Sequence, residues 1–365
     1  MNGRCMACGE NERRSQPGEG STLVKVLLLA IALCTGCFAQ RYAVTGSIPL
    51  EGSGAWDYLR VDSAARRLYV SHSGEVDVID MGTERIVGKL SGLGFIHSIV
   101  IVSQRNLGFL SDGDKNEVVM FNPQTLKIQG RIKVLAKPNS MVYDSGTQRL
   151  FVGHKPSRSM TVISVATGKV EKVISLGGIP EFPVVDGKGS LYVNIDDKSE
   201  IVRMDTHTLK VLSHWNIAPC KSPSGLAISP AARRLFSACD NKLMAIVDAA
   251  TGRVVGTVPI GDGPDAAAYD DERKLVFTSN QDGTLTIIAD KGGDRYEVVQ
   301  NLATEEGART MALDPGSHAV FLSTAKLGPP PFPTSANPHP VSHPTAIGGT
   351  FHVIVVKPVQ GTTIL

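Results

Sequence analysis

Polar side chains that could bind a ligand recur at one position of a repeating pattern in this 365-residue sequence. Each repeat unit has one residue of the first set near the start of a short apolar segment, and the units recur roughly every 40 to 45 residues. Its members are Asp57, His97, Asn139, Glu181, Ser224, Asp265 and Arg309, with His97 one residue out of step with the others. A second set follows the next apolar segment of each unit: His72, Asp112, His154, Asp196, Cys239, Asn280 and Thr324. Carboxylates, imidazoles and a guanidinium at equivalent positions could share one site if the fold brings them together.

The chemistry open to these residues is binding of a polar or ionic ligand. The candidates for a hard divalent cation such as calcium are the carboxylates of Asp57, Glu181 and Asp265. The histidines His72, His97 and His154 form a weaker metal set because they stand in separate loops. A polar ring that only solvates strand ends is the alternative to a ligand site.

Other kinds of chemistry find no motif in the chain. GxSxG, HExxH, P-loop and dinucleotide fingerprints are absent, so no nucleophile is indicated. The formal charge is +2 and aromatic residues make up 5%, which makes nucleic acid an unlikely partner. With 42% apolar residues the chain can bury a substantial core.

The elements that must position the polar sets follow from the repeat. LYVSHSGEVDVIDMGTERIVGKL, residues 68 to 90, returns in altered form from Leu150, Leu191 and Leu235, with looser copies from Leu107 and Leu275. Each unit contains a turn of the type DxxT. The turns begin at Asp80, Asn122, Ser164, Asp205 and Asp248. The first side-chain oxygen of such a turn can accept hydrogen bonds from amides two or three residues further on.

Each unit contains four strand patterns, and seven units follow one another. Four antiparallel strands in a period of this length are typical of a β-propeller blade. The seventh unit lacks its last strand, whereas RYAVTGSIPLEG from Arg41 matches GRVVGTVPIGDG from Gly252. The sequence therefore predicts an all-β fold: a seven-bladed β-propeller of four-stranded antiparallel blades, in which Tyr42 to Pro49 completes the last blade beside Phe351 to Val356. Both polar sets should then lie on one face, around the mouth of the central channel.

The repeats LYVSH, LFVGH and LYVNI, with their DxxT turns, resemble the YVTN-type β-propeller repeat family, which includes the YncE-like exported proteins. The resemblance implies an exported, non-catalytic binding or scaffold protein, whose partner is an unknown small molecule or protein. A metal-assisted hydrolase of the lactonase kind, using the carboxylates at the channel mouth and a divalent cation, is the alternative that fold analogy offers. The predicted ligand residues are Asp57, His72, His97, Asn139, His154, Glu181, Asp265, Asn280 and Arg309. We expect a monomer.

The N-terminal residues do not share the repeat pattern. Lys25 and the apolar run from Val26 to Cys34, followed by small residues, predict a signal peptide with a polar lead over residues 1–39. The run is too short to span a bilayer, so no transmembrane segment is expected in the mature chain. We expect export to the periplasm or beyond; a lipoprotein anchored through Cys37 is the alternative.

The mature chain, residues 40–365, is then a single propeller domain. It keeps Cys220 and Cys239, which can form a disulfide in an oxidising compartment. Its seventh unit carries a Pro-rich insertion, residues 326–349, which is either a lid over the polar face or a tolerated surface loop.

Overall fold

The computed structural model describes residues 41–52, 55–329 and 345–359. The predicted signal peptide, its cleavage site and the lipoprotein alternative lie outside the described residues, as do residues 330–344 of the Pro-rich insertion. No helix in the described ranges has the length and apolar character needed to cross a membrane.

The described chain forms seven sheets of four antiparallel strands, as the repeat predicts. The first strand, β1 (Arg41–Pro49), belongs to the last sheet. Blades 1 and 2 contain β2 (Trp56–Asp62), β3 (Arg67–His72), β4 (Glu75–Asp80), β5 (Arg85–Leu90), β6 (Ile96–Val102), β7 (Leu107–Asp112), β8 (Glu117–Phe121) and β9 (Ile128–Lys133). Blades 3 and 4 contain β10 (Pro138–Asp144), β11 (Arg149–His154), β12 (Ser159–Ser164), β13 (Lys169–Ser175), β14 (Pro180–Val185), β15 (Ser190–Ile195), β16 (Glu200–Asp205) and β17 (Lys210–Asn216). Blades 5 and 6 contain β18 (Pro223–Ser229), β19 (Arg234–Cys239), β20 (Leu243–Asp248), β21 (Val254–Pro259), β22 (Pro264–Asp270), β23 (Leu275–Asn280), β24 (Thr284–Asp290) and β25 (Tyr296–Ala303). Blade 7 contains β26 (Thr310–Leu313), β27 (Val320–Thr324), β28 (His352–Val359) and β1.

The core lies between the blades. The second and third strands of a blade are buried on both faces, which explains their continuous apolar runs. The first strand of each blade is the innermost one. In every blade an aromatic residue of the second strand is paired with the equivalent residue of this innermost strand. These rings belong to Tyr69, Phe109, Phe151, Tyr192, Phe236, Phe277 and Phe321. Because each apolar cluster joins residues of neighbouring blades, a blade is stable only beside its neighbours.

The DxxT turns that begin with Asp or Asn form as predicted, whereas the Ser164 side chain accepts no such hydrogen bond from the described residues. Asp80 Oδ1 accepts hydrogen bonds from the amides of Gly82 at 3.0 Å and Thr83 at 2.7 Å. The same pattern recurs at Asp205 and Asp248. These turns connect the third and fourth strands of their blades, on the face opposite the predicted site.

Closure of the ring by the N-terminal strand is confirmed. β1 is the outermost strand of blade 7 and pairs with β28 in the register Val44↔Val356 to Pro49↔His352. Its start is also tied to blade 6, since the Gln300 side chain exchanges two hydrogen bonds with the backbone of Tyr42, at 2.9 and 2.8 Å.

We predict that removing β1 opens the ring. A chain that starts at Leu50 should aggregate or lose cooperative unfolding, because the full edge of β28 becomes exposed. Light scattering after gel filtration and a thermal unfolding curve would measure both effects, with a chain starting at Arg41 as the control. A soluble truncation that is equally stable would contradict the closure.

The predicted disulfide is present. Cys220 and Cys239 are bonded, with their Cα atoms 5.4 Å apart and a sequence separation of 19. Cys239 ends β19, and Cys220 lies in the loop that leads into β18 of the same blade. The bond therefore fixes the approach of blade 5 to the channel mouth.

Replacing both cysteines by alanine should lower the free energy of unfolding by about 3 kcal/mol, because a loop of this length gains that much entropy in the unfolded chain. Urea unfolding of the double variant and of the oxidised wild type would measure the loss. The reduced wild type is the control and should behave like the variant; equal stability of all three proteins would argue against a stabilising bond.

Candidate functional site

The first polar set surrounds one cavity at the predicted face of the ring. Asp57, His97, Asn139, Glu181, Ser224, Asp265 and Arg309, one from each blade, all line a cavity of about 570 Å³. We call this cavity the cup. Its volume is in the range of small-ligand sites. The sequence period alone therefore located its inner wall.

A backbone irregularity turns these side chains toward the cup. In six blades the pairing of the innermost strand with its neighbour shifts register around the cup residue. Such β-bulges re-aim a side chain. In four blades a proline precedes the cup residue: Pro138, Pro180, Pro223 and Pro264. His97 lies in the bulge of its own blade, as the other cup residues do in theirs, so the expected displacement by one residue is wrong. The displacement came from counting back from Ser103, whereas the strand ends at Val102.

The backbone of the cup residues is held by the preceding blade. Ser111 Oγ of blade 2 donates to the carbonyl of Asn139 in blade 3 at 2.7 Å, and Ser140 of blade 3 donates to Glu181 of blade 4 at 2.7 Å. The series continues with Asn194 to Ser224, Ser224 to Pro264, Ser279 to Arg309 and Thr310 to Asp57. These interblade hydrogen bonds fix the backbone of six of the seven cup residues, or of the residue before them, and His97 is not in the series.

Three ion pairs between adjacent blades follow the wall of the cup. His97 Nδ1 lies 2.7 Å from Asp57 Oδ2, and Arg309 Nη1 lies 3.3 Å from Asp265 Oδ2. Glu181 pairs with Lys155, which follows the second strand of blade 3. Each of these three carboxylates thus has a cationic or imidazole partner from a neighbouring blade.

Burial dominates the electrostatics of two of these carboxyls. It raises the pKa of Glu181 to about 7, although the Lys155 ammonium acts in the opposite direction. It also raises the pKa of Asp265, against the lowering effect of Arg309 and with a further increase from Asp57. A Glu181 carboxyl that titrates near neutral pH is typical of functional sites, although ion-pair networks produce the same shift.

Two further carboxylates of the cup are unpaired. Asp196 of blade 4 and Asp240 of blade 5 line the cavity, and neither side chain has a hydrogen-bond or ion-pair partner among the described residues. With Asp57, Glu181 and Asp265 the cup holds five carboxyls, against the cations Lys155 and Arg309 and the imidazole of His97. Since adjacent blades supply Glu181, Asp196 and Asp240, the excess of negative charge is concentrated on one side.

The second polar set is mostly turned away from the cup. His72 is buried and its Nε2 lies 2.7 Å from Asp77 Oδ2. His154 is buried against Thr161, and burial lowers its pKa. Asn280 is buried and donates to Thr284 and Thr286. None of these three predicted ligand residues lines the cup.

The reason is the alternation of side chains along a strand. In blades 3 to 6 the last residue of the second strand points into its blade, and the next residue lines the cavity. Those next residues are Lys155, Asp196, Asp240 and Gln281, all of which line the cup. Asp196 alone was included in the second set, because β15 ends at Ile195. Applying the two-residue alternation of a strand to the end of the second strand would have identified Lys155 and Asp240 as cup residues.

The donor set does not fit a divalent cation. Among the described residues no group of three or more His, Cys, Asp or Glu side chains converges on one point. The three predicted metal ligands, Asp57, Glu181 and Asp265, face different partners instead. The hydrolase alternative, which needs such a metal, is not favoured.

An aromatic pair forms the floor of the cup. Tyr58 of blade 1 contacts Phe182 of blade 4, with ring centroids 5.0 Å apart, and its hydroxyl donates to Asp265 Oδ1 at 3.2 Å. Tyr58 lines the cup and also the cavity on the other side of the pair. The Tyr58–Phe182 pair thus crosses the channel between two cavities.

The described ends of the Pro-rich insertion lie between β27 and β28, as predicted. Leu327 and Ala346 form an isolated antiparallel bridge, and the Gly328 amide donates to the Thr345 carbonyl at 2.8 Å. The segment therefore leaves and returns at one point of blade 7. Residues 330–344 are outside the described residues, so the lid and the surface loop both stay predictions.

Comparison with known proteins supports the fold. The structure is similar to one described as "Structure of U3-55K", with a TM-score of 0.72 and 10% identity over 86% of this chain and 98% of that chain. It is also similar to "Crystal structure of RRP9 WD40 repeats", with a TM-score of 0.73 and 9% identity over 87% and 100% of the two chains. At such identity the likeness concerns the fold alone, a β-propeller of the kind that WD40 repeats form. No protein-family model matches the sequence, and no curated protein does.

We predict that Glu181 makes stability depend on pH. Its folded pKa of about 7 exceeds the ordinary value of 4.5, so its contribution to stability is fully present below about pH 4.5 and is lost as the pH rises through 7. Glu181→Gln should therefore be more stable than wild type at pH 8, by up to about 3 kcal/mol, and nearly equal at pH 4. Urea unfolding followed by tryptophan fluorescence at both pH values would measure the difference.

Glu297→Gln, on the exposed face of β25, is the control and should leave stability unchanged at both pH values. A Glu181→Gln protein no more stable than wild type at pH 8 would show that the buried carboxyl carries no ionisation cost.

Proposed function

We propose that this chain is an exported, YVTN-type β-propeller that acts as a non-catalytic binding protein and presents the cup to a basic side chain of a protein partner. The observation that carries the proposal is the pair of unpartnered carboxylates, Asp196 and Asp240, on the acidic side of the cup. A lysine ammonium or arginine guanidinium placed between blades 4 and 5 would pair with them and with ionised Glu181.

The scaffold supports this role. Cup residues come from seven blades whose backbones are joined by interblade hydrogen bonds, so the site is largely preformed, and preorganisation lowers the cost of binding. The likeness to WD40-repeat propellers favours a scaffold or binding role over catalysis. The family resemblance rests on the LYVSH and LFVGH repeats with their DxxT turns.

Export is supported by the signal-like segment and by the disulfide. Residues 26 to 34 are an apolar run behind Lys25. The Cys220–Cys239 bond is of the kind that persists in oxidising compartments. We place the protein in the periplasm or outside the cell.

The test is calorimetric titration with capped tripeptides that carry a central lysine, arginine or norleucine. We expect the two basic peptides to bind and the norleucine peptide not to bind. Asp196→Asn combined with Asp240→Asn should weaken binding by about fivefold or more, and added salt should weaken it as well.

Asp271→Asn is the matched control, because Asp271 is an exposed carboxylate on the opposite face, in the turn after β22. It should bind like wild type. Equal binding of the lysine and norleucine peptides, or unchanged affinity in the double variant, would contradict the proposal.

A further inference from the structure

A second cavity occupies the other end of the channel. It has a volume of about 700 Å³ and lies between the innermost strands and the turns that follow them. We call it the lower cavity. Its wall combines apolar side chains such as Ile99, Met141, Leu226 and Met311 with polar groups such as Ser98.

Among the described lining residues, one side chain is cationic. Arg60 of β2 occupies a position that carries valine or alanine in the six other blades. The equivalent residues are Val100, Val142, Val184, Ala227, Ala268 and Ala312, each opposite the aromatic residue of its blade, as Arg60 is opposite Tyr69. The blade geometry therefore has no need of a cation here.

The guanidinium of Arg60 is also unpartnered. It makes no hydrogen bond or ion pair with any residue in the described part of the chain. The carboxylate that lines the same cavity, Asp62, accepts hydrogen bonds from the Ala65 amide at 3.2 Å and from Ser103 Oγ at 3.4 Å. The cavity walls lower the pKa of Arg60 by desolvation and the Asp62 carboxylate acts in the opposite direction, while the Arg60 side chain stays open to solvent. Asp62 is the one carboxylate among the described lining residues and makes no direct ion pair with Arg60, so the exposed guanidinium is open to an anionic ligand.

We propose that the lower cavity binds an amphiphilic anion, a molecule with an apolar body and one carboxylate or comparable acid group, whose head is held by Arg60. The apolar side chains of the wall would take the body, and the fork of the guanidinium would take the two oxygens of the head. A small inorganic anion would leave the wall unused, and a neutral apolar molecule would leave Arg60 without a partner. This site is separate from the proposed cup function, because the Tyr58–Phe182 pair lies between the two cavities.

The test is calorimetric titration with octanoate, using acetate and octan-1-ol as probes of the head and the body alone. We expect octanoate to bind and the two partial probes to bind at least about tenfold more weakly. Arg60→Val should weaken octanoate binding by at least about tenfold, and Arg60→Lys should retain part of it. Valine is chosen because it is the native residue at this position in blades 2, 3 and 4.

Arg85→Val, on the exposed outer strand β5, is the matched control and should bind octanoate like wild type. The Asp196→Asn, Asp240→Asn variant should also bind it normally, which separates this test from that of the cup. No octanoate binding, equal binding of octan-1-ol, or unchanged affinity in a folded Arg60→Val protein would overturn the proposal.

Discussion

The interblade hydrogen bond at the start of the innermost strands is the interaction on which the site depends. A side-chain donor in one blade is joined to the backbone carbonyl of a cup residue, or its neighbour, in the next. At Asp57, Asn139 and Glu181 it satisfies a carbonyl inside a bulge, where an unpaired buried group would be costly. Since Thr310 of blade 7 donates to Asp57 of blade 1, the series also joins the last blade to the first. The same bonds therefore stabilise the ring and set the positions of the ligand residues.

Ring closure makes this arrangement possible. Each blade buries both faces of its middle strands against its neighbours, so an open ring would expose apolar faces on two blades. The chain avoids this by completing the last blade with its first strand. The Tyr42 ring then packs against Phe277 of blade 6, with ring centroids 5.1 Å apart. Closure in turn brings Asp57 and Arg309, which are far apart in sequence, to one wall of the cup.

Much of the fold could be predicted because a period of one blade and the alternation within a strand both appear in the sequence. The positions of Asp57, Glu181 and Asp265 on one wall follow from the period alone. The failure of His72 and Asn280 to reach the cup follows from alternation, which was not applied at the strand ends. The pairing of Glu181 with Lys155 depends on the lengths and directions of two side chains from different blades, and no sequence pattern encodes those. The bulges were also missed, although a proline before the cup residue marks them in four blades.

The channel is chemically asymmetric, and the aromatic floor explains how both ends can coexist. Above it, carboxylates exceed cations and raise one another's pKa, which favours a cationic ligand. Below it, Arg60 is the one cationic side chain among the described lining residues, and it favours an anion. Without a barrier Arg60 would face the carboxylates of the cup through water, and each end would lose part of its selectivity to the other. Tyr58 lies between the two ends, since it lines both cavities, its ring contacts Phe182 and its hydroxyl donates to Asp265. Tyr58 thus donates a hydrogen bond to a carboxylate of the cup and also lines the lower cavity.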